Sequence, residues 1–203
     1  MLLDEQRAQL DQFWDGGDVE LDGDPAVQQA VRFGLFHALQ AGDQSSPHPI
    51  PAKGLTGNGY DGHAMWDTEC FVLPLLTYTR PACAQYALRW RHATLEQARR
   101  RATHLRLAGA AFPWRTIGGQ KCSGYWPAGM AALHVNADIA DAVLRYAAVT
   151  GDETFVRECG LELLVETARL WRRVAHPGDD GRHPASPDCR SGTSSRPKPT
   201  SIR

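Results

Sequence analysis

No C-x-x-C pair occurs in this chain of 203 residues, and the five cysteines, Cys70, Cys83, Cys122, Cys159 and Cys189, are odd in number and widely spaced. Neither a disulfide framework nor a cysteine zinc site is suggested. Cys70, Cys83 and Cys159 lie in apolar or helical settings, where a reduced, buried thiol is the usual state, and a reducing cytoplasm is the expected compartment. Charge of one sign is missing too: the formal net charge is −1, so no global field favours nucleic acid or an anionic membrane. The longest apolar run, Cys70 to Leu76, is far short of a membrane span. Met1-Leu2-Leu3-Asp4-Glu5 lacks the charged and apolar regions of a signal peptide. H-E-x-x-H, G-x-S-x-G and the G-K-[ST] of a phosphate loop are all absent, which leaves zincin, serine-triad and P-loop chemistry without support.

What is present, at 42% apolar and 22% charged, is the composition of an ordinary globular domain rich in helical patterns. The pattern predicts six helices. One covers 4 to about 15, ended by Gly16-Gly17. A second starts at Asp24-Pro25, an N-cap followed by proline at the first helical position, and carries the stripe Val27, Val31, Leu35 and Leu39. A third runs from about Trp66 to Thr77. It is apolar nearly all round, which predicts burial on every side and a kink at Pro74. Pro81 opens a fourth to about Leu105, whose Arg99-Arg100-Arg101 reads as a solvated face. Ala137 to Val149 is the fifth, stopped by Gly151, with Asn136 as a candidate cap. Asp152-Glu153 opens the sixth, to about Val174. Between them lie a short strand or extended connector at Asp18–Asp22 and two long loops, 43 to 65 and 106 to 133. Functional-looking residues concentrate in those two loops.

The first loop ends in "GLTGNGYDGHAMWDTE", residues 54 to 69. Glycines run into His63, Trp66, Asp67 and Glu69. Carboxylates two apart on a helix point to different faces, so Asp67 and Glu69 are not a paired acid and base. An acid in a first helical turn is favoured by the dipole alone. Here, though, the acid adjoins an indole, and a carboxylate acceptor beside an aromatic face is the minimal kit for gripping a sugar. The second loop repeats the theme with Phe112-Pro113-Trp114-Arg115-Thr116 and Tyr125-Trp126-Pro127. Each aromatic alone is more often packing than ligand. Two clusters on loops of a helical protein point toward a carbohydrate cleft. His134-Val135-Asn136-Ala137-Asp138 is a third candidate, but as a metal site with His63 and His92 its spacing matches no known ligand pattern.

"GLTGNGYDGHAMWDTECFVLPLLTYTRP", "AGAAFPWRT", "HVNADIADAV" and "GLELLVETARLW" together resemble glycoside hydrolase family 65, the family of maltose, trehalose and kojibiose phosphorylases. The resemblance extends from near residue 1 to about Arg182. It implies an all-α fold, an (α/α)6 barrel with the active site among the helix-connecting loops at one end. It also implies inverting phosphorolysis of an α-linked glucosyl disaccharide to β-glucose 1-phosphate. Inorganic phosphate is then the co-substrate, and no cofactor or metal is expected. Phosphate is already a nucleophile, so such an enzyme needs an acid for the leaving oxygen but no base for water. Trp66 and Asp67 match the family's W-D pair, which holds the glucosyl unit. His63, Glu69 and Trp114 match neighbouring pocket positions. The implied partner is an α-glucosyl disaccharide, with no nucleic acid and no membrane. Many members are homodimers, a property these motifs do not report.

The chain departs from the family pattern at its end. The family's general acid is a glutamate in a G-P-D-E-type motif, yet Gly181-Arg182 is followed by His183-Pro184-Ala185, and the last glutamate is Glu166. No catalytic residue is therefore assigned. The expected organisation is a partial barrel, about its first half, over 1–175. A tail over 176–203, rich in proline and serine, is expected to be disordered. One reading of the break is a shifted reading frame. A half barrel is expected to expose apolar patches and to be poorly soluble or molten. The leading expectation is an inactive piece of an α-glucoside phosphorylase. The competing ones are a small enzyme using Asp67 or Glu69 as its acid, and a non-enzymatic helical module that binds sugar or protein.

Overall fold

The computed structural model describes residues 2–42, 46–55, 58–124 and 127–175. The expectations for the tail and for Gly57, Tyr125 and Trp126 fall outside these residues. Helices dominate. α1 (Leu2–Gly17) and α2 (Pro25–Gly42) come first, joined by the connector at 18–22. The connector is not a strand. The Gln28 side chain holds it, accepting from Leu21 N at 2.6 Å and donating to Val19 O at 2.9 Å. Asp24 caps α2 as expected, with Oδ1 accepting from Ala26 N at 2.8 Å. Of the expected α2 stripe only Leu35 and Leu39 are buried, and Val27 is 51% exposed. A Cβ on Gly42 would lie 2.7 Å from Leu76, so a glycine lets the end of α2 close onto the next helix.

The expected 66–77 helix opens differently. A wide π-turn, Thr68–Val72, leads into α3 (Leu73–Thr79), and Pro74 sits in the first turn of α3 rather than at a kink. Leu73 N–H reaches back to Thr68 O in the i→i−5 pattern. That spacing removes the demand for the N–H that Pro74 lacks. Burial on every side does not hold either: Leu73 and Leu76 are buried, but Phe71 is 70% and Tyr78 68% exposed.

The expected 81–105 helix is two, α4 (Pro81–Ala93) and α5 (Leu95–His104). They break at Thr94, whose hydroxyl donates to Arg91 O at 2.9 Å and so competes with the helical ladder. A short α6 (Pro127–Ala131) precedes α7 (His134–Thr150), which ends at Gly151 in the left-handed conformation, φ 66°. The last helical run begins with α8 (Glu153–Phe155), capped by Asp152 on Phe155 N, passes a π-turn at Val156–Gly160 and ends as α9 (Leu161–Val174).

α7 packs against α3, α4 and α9, and the main core lies between them. Leu76, Ala84, Leu88, Phe112, Val135, Ile139, Val143, Phe155 and Leu163 are all at most 1% exposed. The only strands among the described residues are β1 (Ala64–Met65) and β2 (Arg115–Thr116). They pair antiparallel, Ala64 opposite Thr116 and Met65 opposite Arg115. This ladder, unforeseen in the sequence, staples the two long loops together. No helix among the described residues is long and apolar enough to cross a membrane.

Candidate functional site

The staple sets the site. One residue beyond the ladder, Trp66 N donates to Trp114 O at 3.2 Å, so the two indole-bearing segments run side by side. Both indoles are half-buried and rest on the main core. Trp66 also meets two rings edge-on: Phe71, with centroids 6.1 Å apart, and His134, 5.0 Å apart at 84°. Edge-to-face contacts fix the plane of a ring while leaving its remaining surface available. Behind Trp114, Gly129 admits the close approach of Ser123, whose Cβ lies 2.9 Å from where a side chain on Gly129 would begin.

Next to Trp66, Asp67 is half-buried, and its Oδ1 is shielded from solvent without a hydrogen-bond partner. A carboxylate oxygen in that state is costly unless something donates to it. Two residues on, Glu69 has a different setting. It is 2% exposed and bound through both oxygens to Arg91, itself 1% exposed: Nε to Oε1 at 2.6 Å and Nη2 to Oε2 at 2.9 Å. Glu69 is thus placed beneath the site, with its oxygens already engaged, not on its surface.

His63 stands on the other flank, half-buried, with Nδ1 2.6 Å from Tyr60 O and 3.1 Å from Arg115 Nη2. Arg115 also reaches Asp61 Oδ2 at 3.4 Å, while its Nε is buried and unpartnered. Tyr60 (φ 55°) and Asp61 (φ 48°) both take the left-handed conformation, so this corner of the loop is strained between its flanking glycines.

Residues with no expected role hold the second loop in place. Asn136 is not a helix cap. It is fully buried in the first turn of α7, where Nδ2 donates to Ala110 O at 2.7 Å and Oδ1 accepts from Phe112 N at 3.1 Å. Arg101 is not a solvated charge. Nη1 donates to Ala111 O at 3.1 Å and Phe112 O at 2.8 Å, and Nη2 to Met130 O at 2.9 Å. Burial holds its guanidinium below the usual arginine range. Its neighbour Arg99 faces α9, paired with Glu162 at 2.6 Å and Glu166 at 3.1 Å.

His63, His92 and His134 go to different places: His63 to Tyr60 and Arg115, His92 to Glu162 at 2.7 Å, and His134 to Trp66. No cluster of three or more histidine, cysteine, aspartate or glutamate side chains among the described residues is arranged to hold a metal ion. Cys70, on the π-turn behind Asp67, is half-buried, and its thiol is pushed up to about 11, by burial first and by Asp138 second. Arg91 is the candidate-site residue that motif reading passed over, while the sequence names His134 only as a candidate metal ligand, not as a ring partner of Trp66. Arg91 carried no local signal.

The chain spans 22–24% of the length of the curated relatives it matches, so it corresponds to part of a larger protein's length in each case. A glycosyl hydrolase of Mycobacterium tuberculosis strain H37Rv, itself uncharacterized, is 64% identical over 175 residues, covering 86% of this chain and 22% of the relative. An α,α-trehalose phosphorylase of Geobacillus stearothermophilus is 47% identical over 176 residues, covering 86% and 23%. Among solved structures, a chain from the human microbiome assigned as a kojibiose phosphorylase superposes with a TM-score of 0.82 at 31% identity. It covers 89% of this chain and 24% of its own. The helices described above are therefore part of an (α/α)6 barrel. The model of the glycosyl hydrolase family 65 central catalytic domain matches residues 32–185. With that match spanning the staple, Trp66-Asp67 and Asn136 alike, the chain belongs to glycosyl hydrolase family 65.

Proposed function

We propose that this chain forms the glucosyl-gripping edge of an inverting α-glucoside phosphorylase. In that reading Trp66 stacks on the apolar face of the glucose ring and Asp67 accepts from its hydroxyls. His63 and Trp114 line the same pocket, and Glu69 acts from beneath it. The observation that carries this is the shielded, unpartnered Oδ1 of Asp67 beside the half-open Trp66. A sugar hydroxyl is the donor that the oxygen lacks, and the indole supplies the apolar platform. Relatives named as trehalose and kojibiose phosphorylases support the substrate kind, an α-linked glucosyl disaccharide cleaved by phosphate to β-glucose 1-phosphate. The odd number and wide spacing of the five cysteines support a reducing compartment, the cytoplasm.

The proton donor for the leaving oxygen is proposed to lie outside these residues. Candidate glutamates here are engaged elsewhere: Glu69 with Arg91, Glu162 with Arg99 and His92, and Glu166 with Arg99 and Arg169. An acid must reach the glycosidic oxygen, and each of these carboxylates is already engaged with a cation. The chain alone is thus expected to bind sugar and not to cleave it. Incubation with maltose or trehalose and phosphate, read as released glucose 1-phosphate, should give only background. Equilibrium binding of maltose should be abolished by Trp66→Ala and by Asp67→Asn. Turnover by the purified chain, or maltose binding that survives both substitutions, refutes the reading.

A further inference from the structure

We infer that the buried Arg91–Glu69 pair is a positioning device for Trp66-Asp67, holding the backbone on both sides of that dipeptide; the inference rests on the sugar-binding reading above. Arg91 belongs to α4, a regular helix packed against α3 and α7, so its guanidinium is anchored on a rigid element. The fork grips Glu69, two residues after Asp67, by bonds of 2.6 and 2.9 Å. Its Nη2 also reaches Met65 O, the residue before Trp66, at a longer 3.5 Å. The same guanidinium lies over the Trp90 ring, 4.8 Å from its centroid, which limits its own freedom. One side chain therefore bridges the end of β1 and the start of the π-turn, with Trp66 and Asp67 spanning the interval between those two grips.

That interval needs an external hold. The π-turn that follows Asp67 has no side-chain cap, and the two-residue ladder preceding Trp66 is too short to fix a backbone by itself. A planar guanidinium with two parallel bonds to one carboxylate sets direction as well as distance, which an ammonium cannot do. A buried ion pair is often replaceable by well-packed apolar side chains without loss of stability. Retaining one that grips the chain on both sides of an indole and an orphaned carboxylate oxygen is explained if its work is to orient them.

The deciding variant is the double substitution Glu69→Leu/Arg91→Met in the full chain, followed by hydrogen exchange detected by mass spectrometry with and without maltose. Exchange of the peptide covering 64–71 should rise about tenfold or more while peptides from α4, α7 and α9 keep their native protection. The slowing of exchange that maltose produces in wild type should be lost. A merely structural pair would show a different pattern, with exchange raised in α4, α7 and α9 as much as at 64–71, or an unchanged maltose response at 64–71. Either result, or unchanged exchange at 64–71, overturns the inference. If the double variant fails to fold, Arg91→Lys, which keeps the charge but not the fork, is judged on the same two readouts. If maltose has no effect on the wild-type chain, the sugar reading fails, and local exchange at 64–71 still decides whether the pair holds the dipeptide.

Discussion

His134 and Trp66, from the first turn of α7 and the end of the first loop, meet edge-to-face with their ring centroids 5.0 Å apart at 84°. The imidazole is exposed and the indole half-buried, so the contact lies at the rim of the proposed pocket. Removing it should loosen the plane on which a sugar would stack. Such a ring pair is worth about 0.5–1.5 kcal/mol, so His134→Ala should weaken maltose binding by about two- to tenfold with little change in thermal stability. Calorimetric titration checks this. Unaltered affinity would separate His134 from the site.

Asn136 carries the second loop on its amide, with one bond given to Ala110 O and one taken from Phe112 N. Replacement by leucine would leave a buried N–H and a buried carbonyl without partners. Each such orphan costs about 1–3 kcal/mol, so Asn136→Leu should lower the urea-unfolding free energy by roughly 2–4 kcal/mol. A loss under 1 kcal/mol would show that the loop finds other partners.

Gly109 and Gly151 share a left-handed backbone, φ 73° and 66°, but not their surroundings. A Cβ on Gly109 would fall 2.1 Å from Glu166 O and 2.8 Å from Leu170 N, both backbone atoms of α9. One on Gly151 meets nothing within 4 Å. Gly151→Ala should therefore cost only the conformational term, about 1–2 kcal/mol. Gly109→Ala must also push the second loop off α9, and a loss of about 4 kcal/mol or more is expected. Parallel urea titrations test the ranking.

Cys70 should be the slow thiol. Burial, followed by the hydrogen bond to Asp138, pushes it to about 11 from an ordinary 9.0. The folded protein thus holds this proton more tightly than the unfolded chain does. Any stability linked to Cys70 is fully present below pH 9 and is lost as pH rises through about 11. At pH 8 iodoacetamide should label exposed Cys122 well before Cys70, with Cys70 catching up only above about pH 10. Equal labelling rates at pH 8 would contradict that placement.

Helix existence was legible because periodicity and punctuation are local. Asp24-Pro25, Gly151 and Asp152 each act within a few residues of themselves, and the structure uses them as starts and stops. One error was local, and the others fell where a distant partner overrode a local pattern. Thr94 divides a long helix through its own hydroxyl. Phe71 and Tyr78 stand exposed on a helix whose composition implied burial all round, because burial depends on what packs against each face. Arg101 looks solvated in a run of arginines, yet it clamps a loop that lies beyond its own helix.

By itself the sequence determined the helical architecture, the two loops that carry the aromatics, and the family to which Trp66-Asp67 belongs, since motifs and periodicities are written within short windows. Only the tertiary structure decided that Asp67 keeps an unpartnered oxygen while Glu69 is locked to Arg91, and that a small ladder draws Trp114 beside Trp66. Those outcomes turn on contacts between segments distant along the chain. Whether a carboxylate is open or engaged depends on which cation the fold brings to it.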